Sequence, residues 1–318
     1  MRKEDLRIVF MGTPEFAVGT LKALVEGGYN VVAVVTQPDK PVGRHGSVLR
    51  SPEVKVYAQE HDIPVLQPVK MKDEEFLAEL RSYKADLQVV VAFRMLPEVV
   101  WAMPKYGTFN VHAALLPQYR GAAPINWAII NGETRTGVTT FFLDHDIDTG
   151  RVIMQRSFEI PLEADVEYVY DGLMELGAQT AVETIERIIE GEGSVETLPQ
   201  EEMIEVGTEL HPAPKIFKDT CKIDWTQPVK RVYDFIRGLC PIPGSWGEVV
   251  LPDGTQMELK VYQSALTERP TNDIVAGTLI KEKKAVFVAC SDCLLELKTV
   301  QPNGKKRMDA ISFANGLH

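Results

Sequence analysis

The densest group of reactive side chains in this 318-residue sequence is Asn110-Val111-His112. In an extended segment, residues two apart share a face, so the Asn110 amide and the His112 imidazole would point the same way. That pair suits acyl transfer, because the amide can hydrogen-bond an oxyanion and the imidazole can move or polarise a proton near neutral pH. Taken alone, the residues favour a plainer alternative, an Asn and a His satisfied by neighbours at a strand end. A second group, Asp144-His145-Asp146-Ile147-Asp148-Thr149-Gly150, spaces three carboxylates two apart. A calcium loop of the EF-hand kind needs Gly at its sixth position and Glu at its twelfth. Counted from Asp144 those positions are Thr149 and Gln155, so the calcium reading is poor. Asp144 and Asp146 fit a solvated turn, whereas Asp148, directly before Thr149-Gly150, is the natural carboxylate to orient a histidine. Between the two groups, residues 113–124 are small and apolar and lead toward Trp127, a composition that can line a flat apolar pocket.

Such groups need a scaffold, and the first half of the chain supplies one. Residues 7–11, 31–35 and 87–92 are short apolar runs expected as buried strands. A helix is expected after the first, with Thr13 as cap, Pro14 at the first helical position and Glu15 complementing the dipole. Gly27-Gly28 would stop it, and residues 54–61 fit another helix. Strands spaced by helices predict an α/β, doubly wound, mostly parallel Rossmann-like sheet, which binds ligands outside the carboxyl ends of its strands. Residues 138–143 and 152–154 read as further strands around the turn at 148–150, and 165–189 as a long helix. Beyond 208, short β-rich runs at 246–251, 257–262, 285–289 and 294–300, with Asp253-Gly254 and Asn303-Gly304 as turns, predict a small OB-like β-barrel. The expected organisation is a first domain at 1–190, a linker at 191–207 and a C-terminal domain at 208–318. No G-x-G-x-x-G or G-x-x-x-x-G-K-[ST] motif occurs.

Net charge is −11, which taken whole argues against a polyanionic partner. From 208 onward, however, 15 Lys/Arg face 13 Asp/Glu, a balance of +2, so the first 207 residues carry −13. Four cysteines cannot build a disulfide framework, and the first residues offer no signal-peptide region, so a cytoplasmic protein is expected. No apolar run reaches the ~20 residues that span a bilayer. Cys290-Ser291-Asp292-Cys293 is a lone C-x-x-C without the second pair that a zinc site needs.

Taken together, several motifs identify the chain as similar to a known family. Met11-Gly12-Thr13-Pro14-Glu15-Phe16-Ala17, Gln37-Pro38-Asp39-Lys40-Pro41-Val42-Gly43-Arg44, the 110–124 run and Asp148-Thr149-Gly150 resemble the folate-dependent formyltransferases that act on methionyl-tRNA. The resemblance continues through Ile223-Asp224-Trp225, Pro241-Ile242-Pro243-Gly244-Ser245-Trp246 and Gln301-Pro302-Asn303-Gly304-Lys305-Lys306-Arg307-Met308, and so covers nearly the whole chain.

The resemblance implies transfer of formyl from 10-formyltetrahydrofolate to the α-amino group of initiator methionyl-tRNA. It carries a catalytic Asn, His and Asp onto Asn110, His112 and Asp148, with no metal. Asn110 and protonated His112 would stabilise the oxyanion, and Asp148 would hold His112. Ala114, Leu115, Leu116 and Pro117 become the folate-contacting loop, with Ala114 standing where the family usually has Ser. Phe93, Arg94, Met95 and Leu96 also fall in the folate-contacting region, Arg94 facing either the folate or a surface salt bridge. Lys40 and Arg44, in a basic loop at 37–49, and Lys305, Lys306 and Arg307 would contact the tRNA. A monomer is expected. The nearest rival is a folate-dependent formyltransferase acting on a small amine, an amino sugar or a purine precursor, which would need neither the basic loop nor a second domain. A non-catalytic RNA-binding module is the rival from another class.

Overall fold

The computed structural model describes residues 1–42 and 48–317. The chain divides into two compact units. The first comprises Met1–Gly121, Gly137–Phe158 and Tyr170–His211. Its elements run β1 (Ile8–Gly12), α1 (Glu15–Glu26), β2 (Val31–Val35), β3 (Lys40–Val42), β4 (Val48–Arg50), α2 (Glu53–Glu60), β5 (Val65–Leu66), α3 (Glu74–Ser82), β6 (Leu87–Val91), α4 (Glu98–Trp101) and β7 (Thr108–His112). Most of β8 (Arg135–Phe142), β9 (Val152–Glu159) and α6 (Val166–Glu190) complete it.

Seven strands form one sheet in the order β5-β2-β1-β6-β7-β8-β9. The pairs β1–β2, β2–β5, β1–β6 and β6–β7 are parallel, and β8 joins β7 antiparallel. The expected doubly wound sheet is therefore present. Its central strands, β1 and β6, are buried at every residue, Gln88 included, as near-continuous apolar runs require of strands covered on both faces. Along β1, Val9 and Met11 pack with Phe76, Leu77 and Leu80 of α3, so Ile8 and Phe10 point to the other face. The start of α1 differs from expectation: Pro14 occupies the N-cap without a side-chain cap, and the Thr13 hydroxyl instead accepts a hydrogen bond from Thr36.

The second unit comprises Ala122–Thr136, Glu159–Val169 and Pro212–His318. It holds α5 (Pro124–Ile130), α7 (Val229–Arg237), β10 (Ser245–Val250), β11 (Gln256–Ala265), β12 (Leu279–Lys281), β13 (Val286–Ala289), β14 (Leu294–Pro302), β15 (Met308–Asp309) and α8 (Ala310–Asn315). The strands pair antiparallel in the order β10-β11-β14-β13-β12, with β15 on β14. A parallel bridge from Val250 to Thr278 joins the two ends of that path, giving the expected small barrel. Trp225 and Ile236 sit in its core with Val261, Leu295 and Val300. Asp234 and Arg237, both buried, form an ion pair at 2.9 Å on α7, and the Arg237 guanidinium also donates to the Ala164 carbonyl. Cys290 is buried, and that burial, then Asp292, pushes its thiol up to about 12, which leaves the lone C-x-x-C without a reactive thiolate at that residue. Among the described residues no helix is long and apolar enough to cross a membrane.

Candidate active site

All the groups that gather here belong to the first unit. β7 pairs with β6 through Val90–Asn110 and Val91–Val111, so Asn110 and His112 stand at the carboxyl end of the parallel strands. The His112 side chain is 7% exposed and the Asp148 side chain 12%. His112 Nδ1 lies 3.9 Å from Asp148 Oδ2, close enough for charge coupling but too long for a hydrogen bond. His112 Nε2 lies 2.9 Å from the Tyr119 carbonyl. The ring is therefore held by the Tyr119 carbonyl on one side and faces the Asp148 carboxylate on the other. The Asn110 side-chain oxygen is buried and has no hydrogen-bond partner among the described residues. A buried polar atom left open at a strand end suits a group that binds something other than the protein.

Two loops bring Asp148 to this histidine. In the 113–121 loop, Tyr119 adopts φ +58° and Gly121 φ +129°. The Gly121 amide donates to Asp148 Oδ2 at 2.9 Å. In the 143–151 loop, Asp148 itself adopts φ +56°, a left-handed conformation that a non-glycine residue holds only when its surroundings determine it. Gly150 is required by close approach, since a Cβ there would lie 1.7 Å from the Phe142 carbonyl oxygen.

The 114–117 segment is fixed from beneath. The Thr139 hydroxyl, on β8, donates to the Ala114 carbonyl at 2.6 Å and accepts from the Leu116 amide at 3.1 Å. Gln155 Nε2, on β9, donates to the Leu116 carbonyl at 2.7 Å and to Thr139 Oγ1 at 2.9 Å. Ala114 and Leu116 are buried, Leu116 packing with Phe141 and Val152, and Pro117 is buried too. Leu115 is the residue of this segment left half-buried.

Residues 93–96 leave the carboxyl end of β6, beside β7. Phe93 is half-buried, Met95 is 70% exposed and Leu96 is buried in the α3 face of the core. Among the described residues Arg94 makes no salt bridge and its buried Nε has no partner, while its guanidinium donates to the carbonyls of Pro68 and Val69. Burial holds its pKa below the ordinary arginine value.

The basic candidates lie elsewhere. Lys40 is exposed at the start of a hairpin in which β3 pairs with β4, Lys40 opposite Arg50. The base of that hairpin is pinned by Asp39, which accepts from Lys55 at 2.8 Å and Gln67 at 2.8 Å. Those bonds hold the Asp39 carboxyl below its usual range. Arg44 lies outside the described residues. In the second unit Lys305 and Lys306 are exposed, and the Arg307 guanidinium stacks 3.6 Å from the Tyr262 ring centroid.

Sequence reasoning named Asn110, His112 and Asp148 but none of their supports. Tyr119 and Gly121 act through backbone atoms, and Thr139 and Gln155 look like ordinary strand residues. The remaining support, Gln200, falls in the 191–207 stretch expected as a linker. It is fully buried, donates to the Asp148 and Gly150 carbonyls and accepts from Arg120. No local signal marks it.

Residues 6–185 match the formyl transferase family, and residues 215–318 match its C-terminal domain. A methionyl-tRNA formyltransferase from Parabacteroides distasonis is 58% identical over 99% of this chain and 97% of its own length. One from Bacteroides fragilis is 56% identical over 100% and 97%. Among solved structures, an N-formyltransferase from Helicobacter canadensis in complex with folinic acid and dTDP-3-aminofucose shares the fold. Its TM-score is 0.66 at 19% identity, over 95% of this chain and all of that one. HypX from Aquifex aeolicus, in complex with tetrahydrofolic acid, gives 0.61 at 20% identity, this chain spanning 46% of its length. Because both family models match in order along the chain, and relatives more than half identical align from end to end, the chain belongs to the methionyl-tRNA formyltransferase branch of the formyl transferase family.

Proposed function

We propose that this protein transfers a formyl group from 10-formyltetrahydrofolate to the α-amino group of initiator methionyl-tRNA, with Asn110, His112 and Asp148 as the catalytic residues. The observation that carries the reading is the 58% identity to a methionyl-tRNA formyltransferase across 99% of the chain. The folate supplies a formyl group already activated on nitrogen. Transfer joins the amine nitrogen to the formyl carbon, breaks the bond to the folate nitrogen, and passes one proton from amine to folate.

The residues present fit that co-substrate. Asn110, whose side-chain oxygen is buried and open among the described residues, stands at the strand end, with half-buried Leu115 and exposed Met95 on the segments that leave β7 and β6. Asn110 donates its amide N–H to the carbonyl oxygen as negative charge builds there. His112 Nε2 is committed to the Tyr119 carbonyl, so the proton it can share is the one on Nδ1, on the Asp148 side. Asp148, fixed by the Gly121 amide, orients the ring and stabilises its charged form. Leu115 and Met95 supply apolar contact to the folate, and Ala114, Leu116, Pro117, Phe93, Arg94 and Leu96 shape the walls behind them.

Residues 208–318 serve as the tRNA-binding domain, with Lys305, Lys306 and Arg307 on phosphates, and Lys40 and Arg44 at the acceptor end. The protein acts as a monomer in the cytoplasm. The test is formyl transfer from 10-formyltetrahydrofolate to charged initiator tRNA, beside an elongator methionyl-tRNA control. Turnover on the initiator alone supports the reading. Transfer to a small amino sugar or purine precursor with none to the tRNA establishes the rival. Binding of tRNA without transfer to any amine overturns both.

A further inference from the structure

We infer that Gln200 is a positioning residue that holds Asp148 against His112, acting from a segment outside the sheet. The inference rests on the function proposed above and concerns how its His–Asp pair is kept assembled.

Gln200 has no exposed surface, and its amide is used to capacity. Nε2 donates to the Asp148 carbonyl at 2.8 Å and to the Gly150 carbonyl at 2.8 Å. Oε1 accepts from Arg120 Nε at 3.0 Å and Nη2 at 2.7 Å. The reverse orientation would face oxygen to two carbonyls and NH₂ to a guanidinium, so only one placement is possible. Four bonds thus tie the 113–121 loop, which holds His112, to the 143–151 loop, which carries Asp148. Arg120 sits between Tyr119, whose carbonyl holds His112 Nε2, and Gly121, whose amide holds Asp148 Oδ2. On the other side, Gln200 grips Asp148 through its own carbonyl, at a residue whose φ of +56° needs external support.

The segment that delivers Gln200 is itself docked. Leu198 and Val152 exchange backbone bonds at 2.8 and 2.9 Å, which adds residue 198 to the outer edge of β9. The Arg151 side chain bonds to Thr197 through Oγ1 and the carbonyl, and Met203 packs against Leu116, Phe141 and Val152. Gln200 opens the 3₁₀ turn Gln200–Met203 between these anchors. A chain read as a tether is therefore a strap whose one inward amide reaches the site.

The test uses the full-length protein and the formyl-transfer assay. Gln200→Leu keeps the size and removes all four bonds. Gln200→Glu keeps the acceptor toward Arg120 but sets a carboxylate oxygen against the Asp148 and Gly150 carbonyls. Both are expected to lower kcat by about 30-fold or more, the scale of a small misplacement of reacting groups. The KM values for folate and tRNA stay within about threefold, because Gln200 has no exposed surface for a substrate to touch. In an Asp148→Asn background the loss from Gln200→Leu shrinks to below about threefold, since a residue acting through Asp148 has little left to lose. A structural role would instead give losses that multiply. The inference is overturned if either variant keeps near-normal kcat, if KM takes the loss, or if the double variant multiplies the two effects. Should Gln200→Leu fail to fold, Gln200→Glu, which preserves the Arg120 bonds, is judged by the same criteria. A wild-type protein that transfers no formyl would refute the function itself, a result distinct from active wild type with unaffected Gln200 variants.

Discussion

Thr139→Val tests whether the 114–117 segment is held by one hydroxyl. The substitution preserves shape on β8 but removes an oxygen that donates to the Ala114 carbonyl and accepts from both the Leu116 amide and Gln155. Thr139, Ala114 and Leu116 are all buried, so water cannot replace the lost bonds. Gln155 Nε2 keeps its second acceptor, the Leu116 carbonyl at 2.7 Å, and is not stranded. Two backbone groups lose this partner, and a buried polar group left unpaired costs about 1–3 kcal/mol. The added methyl returns roughly 0.8 kcal/mol. The net expectation is a destabilisation of about 1–5 kcal/mol, or a fall in Tm of roughly 2–20 °C at the scale of a 150–250-residue unit. Calorimetry of the full-length protein reads the shift, and steady-state kinetics should show KM for the folate rising while KM for the tRNA holds. A Tm within 1 °C of wild type, on the same scale, would mean that Thr139 does not hold the segment. A tRNA-only effect would place the folate elsewhere.

Three further outcomes are expected. Asn110→Ala should lower turnover by about 10²–10³, the loss typical of one oxyanion donor, while tRNA affinity in a binding assay barely changes; near-normal turnover would remove Asn110 from the chemistry. Asp234→Ala should destabilise the protein by about 3–5 kcal/mol in a denaturation series, because it strands the buried Arg237 guanidinium; a neutral result would show that the Ala164 carbonyl alone satisfies that charge. Lys40→Ala should reduce the slope of log affinity for tRNA against log salt by about 0.7–0.9, as one lost phosphate contact does. An unchanged slope would take the β3–β4 hairpin out of the interface.

Much of the fold was legible because its signals are local. The runs that became β1, β2 and β6 are apolar at nearly every position, Gln88 being the polar exception, and such short runs fit strands of a covered parallel sheet. Gly254 and Gly304, with φ of +87° and +73°, mark turns that Asp-Gly and Asn-Gly announce. Thr13 was misread because Thr, Pro and Glu in sequence satisfy the capping rule in two registers, and the structure takes the one with Pro14 as N-cap. The helices α7 and α8 were missed, being short amphipathic pieces among strands. Their faces make sense only once Val261 and Val300 are opposite them in the barrel.

The candidate site was half legible, for a related reason. Asn110 and His112 are two apart on one strand, so the period of the backbone alone puts them on one face. Asp148 was reachable because a carboxylate before Thr-Gly at a strand-to-strand turn has few other uses. Its supports obey no period. Gln200 bonds to Arg120 and Asp148 from 80 and 52 residues away. Its neighbours, Pro199 and Glu201, give the surroundings of a solvated tether. What distinguishes it is complete burial of an amide with four partners, which exists only after two loops and an edge strand have closed around it. A sequence read by local pattern finds candidate groups for chemistry when a regular element presents them. It misses the groups that hold them when the holding is done across loops, and here the left-handed backbone at Tyr119, Gly121 and Asp148 shows how much holding the loops require.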